Sequence, residues 1–196
     1  MAAPLDMGGR PIGPVSALIA RVELVLVLVS VLAMAAIMFI VVADVFLRYA
    51  MSAPLGWSYD VIGLYLVGMV FFFALSDTMQ NHGHIALDVF VPFLPRWLRH
   101  GTQGIGYAAS TVLIALIAWL EVSKATEALA GGDRIAGVVP LPTWVAHAVL
   151  ALGMTVLAVR CTYRALSHLA SIFSANDLVE TPPPPVTSGH AGEHGE

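Results

Sequence analysis

The chain has 196 residues, of which 58% are hydrophobic and 11% charged, against roughly a quarter charged in an ordinary soluble domain. A mean hydropathy of +0.83 calls for an apolar solvent, because a water-soluble globule must cover its outside with polar groups. A net charge of -4 with nine Lys and Arg along the whole chain excludes a basic field for nucleic acid, and the single cysteine, Cys161, excludes an intramolecular disulfide framework or a multi-cysteine metal cage.

A helix crosses the hydrocarbon core with about 20 apolar residues. Four uncharged runs suit that purpose, at 24–43, 61–76, 101–120 and 143–159. Ahead of the first, the segment 1–21 carries Arg10 and Arg21. Ala33-Met34-Ala35 has the look of a signal-peptidase site, but the apolar stretch continues through Phe39, Ile40, Val41 and Val42, past a signal h-region of about 7–15 residues. The first run is therefore expected to remain as an anchor. A short connection containing Pro54 and Gly56 leads to the second run, which Trp57, Ser58 and Tyr59 extend. The stretch 85–99 is too apolar for a solvated loop and too broken by proline and charge to span, so it is expected to lie amphipathically in the interface. After the third run, Glu121, Lys124 and Glu127 continue a helix that Gly131-Gly132 ends. Pro140 and Pro142 restart the chain before the fourth.

The expectation is an all-α integral membrane domain over 22–173. Its spans are placed at about 22–46, 58–79, 101–121 and 142–160, with the interfacial segment between helices two and three. The tail 174–196, with Pro182 to Pro185, is expected to be disordered. Six Lys and Arg fall at the two termini and in the second connection, three in the other two connections, which predicts both termini in the cytoplasm.

The four runs hold no Asp, Glu, Lys or Arg, and the one span histidine, His147, sits near an end; Glu23 and Arg160 stand at run boundaries. Mid-membrane charges mark ion and proton pathways, and helices broken by Gly or Pro build carrier sites, so the chain is not expected to transport on its own. Asp44 and Arg48 are four residues apart and share a face if the helix continues that far. Asp60 opens the second helix, where the exposed amides favour a carboxylate, and lies on the same side of the membrane as Arg48. Arg48 is thus open to pairing with Asp44 or across the hairpin with Asp60. His82, His84 and Asp88 form a weak metal pattern that a polar junction after helix two explains as well. There are no facing span histidines for haem, no phosphate loop, no nucleophile elbow and no paired catalytic carboxylates, so neither cofactor nor catalysis is expected. Gly104 with Ala108 and Gly106 with Ser110 have small-xxx-small spacing, suited to close helix packing within the chain or with a partner.

Three landmarks in order make the chain resemble the small membrane subunit, the Q component, of tripartite ATP-independent periplasmic (TRAP) transporters. They are Arg48-Tyr49 followed by Pro54-Leu55-Gly56-Trp57-Ser58-Tyr59-Asp60, then His84-Ile85-Ala86-Leu87-Asp88 leading to Leu94-Pro95, then Val139-Pro140-Leu141-Pro142-Thr143-Trp144. The family commonly has two glutamates after the tryptophan, where this chain has Tyr59 and Asp60. The resemblance implies a multi-pass subunit of the bacterial inner membrane that scaffolds a large membrane subunit and helps dock a periplasmic substrate-binding protein. It implies sodium-coupled import of an organic acid, with substrate and sodium bound by the large subunit. It also implies interface or structural roles for Arg48, Trp57, Asp60, His84, Asp88, Pro140 and Pro142. The alternative is the membrane anchor subunit of a redox enzyme complex.

Overall fold

The structure is a computed structural model that describes residues 14–80 and 96–173. The segment 1–13, most of the expected interfacial stretch, and the Pro-rich tail lie outside the described residues. Helix α1 (Pro14–Met51) is followed by α2 (Ser58–Val61), a π-helical turn (Ile62–Leu66) and α3 (Val67–Gln80), which together form the second span. Then come α4 (Arg96–Gly131), the short strands β1 (Arg134–Ile135) and β2 (Leu141–Pro142), and α5 (Trp144–Phe173). Four helices are long and apolar enough to cross a membrane, over Ala17–Met51, Ser58–Met79, Gly101–Gly131 and Trp144–Ser171. The four apolar runs thus become four spans.

The helices outrun those apolar stretches. α1 has 38 residues and α4 has 36, so at about 1.5 Å per residue each exceeds a hydrocarbon core of about 30 Å. Glu23 and Arg160, read from sequence as boundaries, lie inside α1 and α5 instead. α4 stops where its sequence says it should. Gly132 takes the left-handed conformation at φ 66°, and the Asp133 N–H donates to the Ala128 carbonyl at 3.0 Å, the six-to-one bond of a glycine-terminated helix. α1 ends on a left-handed residue as well, but there it is Ser52, at φ 53°.

The chain makes two helical hairpins, α1 with α2–α3 and α4 with α5, joined through 81–95. Packing follows the order α1, α3, α5, α4; α4 lies chiefly against α5 and α1 chiefly against α3. Two apolar clusters fill the middle. Leu26, Phe73 and Val149 join α1, α3 and α5, with Val29, Met69 and Val156 around them. Met79, Leu157 and Cys161 form the other, with Tyr107 and Ile114 of α4 against it. Between them α3 and α5 approach closely. A Cβ on Gly153 would stand 2.7 Å from the Phe72 carbonyl oxygen, so only glycine fits.

The small-residue pairs of α4 point two ways. Gly104 packs on Leu169 and His168 of α5, whereas Gly106 faces open space. The first pair is used within the chain. The exposed side of α1 carries Leu24, Leu28, Leu32, Phe39 and Phe46, and that of α4 carries Ile105, Val112, Leu116 and Trp119; such faces suit lipid or a membrane partner.

Candidate functional site

The polar groups gather at two levels. The first lies where α1 ends and α2 begins, and it is built on a short connection. Asp44 is buried and accepts hydrogen bonds from Arg48 Nη2 and from the Leu55 N–H, both at 2.7 Å. One carboxylate thereby satisfies a guanidinium on its own helix and the backbone of the returning chain. Ser58 tightens the same turn, its hydroxyl and N–H both donating to the Leu55 carbonyl at 2.8 and 3.1 Å. Of the two pairings open to Arg48, the structure has the one with Asp44. Asp60 sits in the first turn of α2 and faces the β1–β2 connection, its Oδ2 2.8 Å from where a Cβ on Gly137 would be.

Trp57 directly precedes α2 and is half-buried. Gly56 beside it lies under Val138. The strands β1 and β2 pair antiparallel, Arg134 opposite Pro142 and Ile135 opposite Leu141. Pro142 accepts the Tyr65 hydroxyl at its carbonyl, 2.7 Å away, so the π turn of the second span holds the strand pair. Pro140 is exposed just before β2. On the far side of this level Glu121 of α4 meets His147 Nδ1 of α5 at 2.7 Å and Lys124 Nζ at 3.4 Å. Arg48, Trp57, Asp60, Pro140 and Pro142 are therefore at one end of the molecule, while His84 and Asp88 lie outside the described residues.

The second level went unread in the sequence. Glu23 of α1, Ser76 of α3 and Arg160 of α5 are 1%, 0% and 3% exposed. Arg160 donates to Glu23 from Nε at 2.8 Å and again from Nη2, and the Ser76 hydroxyl donates to the same carboxylate. A buried charge is tolerable when it is paired and hydrogen-bonded. The available signal was the apolar residues beyond each charge: Ala17-Leu18-Ile19-Ala20 ahead of Arg21 and Glu23, and Ala165-Leu166 and Leu169-Ala170 after Arg160. Near it, the Tyr107 ring stacks on His168 with centroids 5.4 Å apart, and Arg164 Nη1 donates to the Tyr107 hydroxyl at 3.2 Å. Among the described residues no group of three His, Cys, Asp or Glu is placed to hold a metal ion.

Both levels are hydrogen-bonded frameworks that join helices. A family model described as tripartite ATP-independent periplasmic transporters, DctQ component, matches residues 37–171. The chain belongs to the DctQ family. As a DctQ protein it is the small membrane component of a tripartite transporter, a system with a large membrane subunit and a periplasmic binding protein. The DctQ match runs from the middle of α1 through nearly all of α5, and so includes the whole Arg48 level. It gives no support to a redox-complex anchor. Comparison with curated proteins and with solved structures finds no match.

Proposed function

We propose that this DctQ protein scaffolds the large membrane subunit of a sodium-coupled importer of an organic acid, and that its Arg48 end contributes to docking the periplasmic binding protein. Both termini face the cytoplasm in this reading, so the Arg48 end faces the periplasm. The observation that carries it is the DctQ match over 37–171. Supporting it, the outward faces of α1 and α4 offer long apolar surfaces to lipid and to another membrane protein, and the Glu23–Ser76–Arg160 and Asp44–Arg48 groups are engaged in helix-to-helix and turn contacts. Substrate and sodium are assigned to the large subunit, and no cofactor to this one. Arg48, Trp57, Asp60, Pro140 and Pro142 shape the docking end, with His84 and Asp88 tying the connection after the second span to its helix.

Reconstitution tests this directly. The chain is co-expressed with the large membrane subunit and the periplasmic binding protein of its system, purified through a tag on this chain, and placed in proteoliposomes. The expected result is co-purification of the large subunit and uptake that needs all three proteins and an inward sodium gradient. Undiminished uptake when this chain is omitted, or uptake by this chain without the large subunit, overturns the scaffold reading.

A further inference from the structure

We propose that the Glu23–Ser76–Arg160 cluster sets the register in which the two helical hairpins dock, and is not what holds them together. Glu23 and Ser76 belong to the first hairpin and Arg160 to the second, and all three are buried. The surfaces that surround them are largely apolar, with one steric mark, Gly153 of α5 against the Phe72 backbone of α3, and one directional bond near the Arg48 end, from the Tyr65 hydroxyl to the Pro142 carbonyl. Elsewhere the hairpins meet through apolar side chains, Leu26 of α1, Phe73 of α3 and Val149 of α5 in one cluster and Met79 of α3 with Leu157 and Cys161 of α5 in the other. Gly68 likewise rests only on Leu150 and Val149. Residues three and four apart share one face of a helix, so hairpins slid by one turn lose the Gly153 fit and part slightly there, but along the rest of the contact still set Leu, Val, Ala and Met against one another. A slid pair of hairpins separates Glu23 from Arg160 and leaves two unpaired charges in apolar surroundings.

That asymmetry is the physical content of the proposal. A paired, hydrogen-bonded charge couple inside a protein adds little over well-packed apolar residues of similar volume, while either charge alone is strongly unfavourable. The couple therefore penalises wrong registers far more than it favours the right one. α1 meets α5 only sparsely, so Glu23 reaches Arg160 from a helix that otherwise has little hold on α5. Ser76 supplies the third direction from α3, fixing the carboxylate between the hairpins.

The test uses the full chain in lipid nanodiscs, spin-labelled at Leu18→Cys on α1 and Leu129→Cys on α4, exposed positions at opposite ends of different hairpins, so that the distance runs largely along the helices; Cys161, 1% exposed, stays in place. Electron–electron distance distributions, membrane abundance and thermal midpoint are measured for the parent, E23L, R160M, E23L/R160M and the charge-swapped E23R/R160E. Both single variants are expected to lose several-fold in abundance. The double apolar variant should recover parental abundance and midpoint, yet broaden or shift its distance distribution by on the order of one helical turn, about 5.4 Å. The swapped pair should return a single narrow distribution. A narrow, unshifted distribution in E23L/R160M places the register elsewhere and overturns the proposal. Abundance in E23L/R160M as low as in the single variants overturns it too, by making the pair a net source of cohesion.

Discussion

At Gly153 the absent side chain is what lets two helices touch, because the place a Cβ would take is 2.7 Å from the Phe72 carbonyl oxygen and 2.8 Å from the Phe72 Cβ. The obstacle is backbone, which cannot swing aside as a flexible side chain would. Gly153→Ala should therefore cost about 1–3 kcal/mol, the range for overpacking a filled core, read as a lower thermal midpoint in detergent. Gly63→Ala, whose Cβ would meet nothing within 4 Å, should leave the midpoint unchanged. Ser52 offers the opposite case. It holds φ 53°, a conformation that disfavours an L-residue by roughly 1–2 kcal/mol and that glycine adopts freely. Ser52→Gly should raise the midpoint, and an unchanged or lower midpoint would show that the α1 terminus relaxes when α1 is in the membrane. At the Arg48 end, Asp44 is the charged group that ties the α1–α2 connection down. Asp44→Ala removes the acceptor of both Arg48 and the Leu55 N–H and should disorder the α1–α2 connection, whereas the Asp60 carboxylate faces the β1–β2 connection instead, so Asp60→Ala should leave the α1–α2 connection intact. Amide exchange at 52–57 compares the two.

At the scale of elements, the strand pair β1–β2 is held to the membrane-spanning part by few contacts. The Tyr65 hydroxyl on the Pro142 carbonyl is the most directional of them. Tyr65→Phe leaves that carbonyl without its donor, a loss of about 0.5–1.5 kcal/mol. The expected outcome is faster amide exchange across Arg134–Ile135, with exchange in the α5 interior unaffected. The spans themselves were legible because hydropathy adds along the chain, and four apolar runs of the right length need no knowledge of what they touch. Their ends were not. Glu23 and Arg160 each look like the end of an apolar run when one helix is considered alone, and their burial depends on a partner 137 positions away. The strand pair was invisible for a similar reason, since two residues per strand carry no periodicity. For Arg48 the spacing to Asp44 gave one option and the hairpin gave another, and what decided between them was the backbone N–H of Leu55 arriving at the same carboxylate. Spacing alone likewise could not separate Gly104, which packs inside, from Gly106, which faces out.

Across the whole molecule, assembly can be followed through one thiol. Cys161 is buried between the hairpins, its Sγ 3.5 Å from the Met79 sulfur. A membrane-permeant maleimide should leave it unmodified in the intact bundle and modify it fully in denaturing detergent; rapid modification of the native protein would mean that the α3–α5 contact opens in the membrane. The packing order α1, α3, α5, α4 has a further meaning. Each hairpin runs the same way through the bilayer, long helix first, and the two meet through their second helices. Such an order has the connectivity of an approximate two-fold axis along the membrane normal, passing between α3 and α5 and exchanging α1 with α4. A body with that pseudosymmetry shows similar long edges at its two extremes, each an apolar helix more than one bilayer core in length. One partner that binds a single edge must then distinguish the two by what the pseudosymmetry fails to repeat. At the Arg48 end the differences are marked: a six-residue turn closed by Asp44 after α1, and a paired strand segment after α4. What tells one edge from the other is written in those unequal connections.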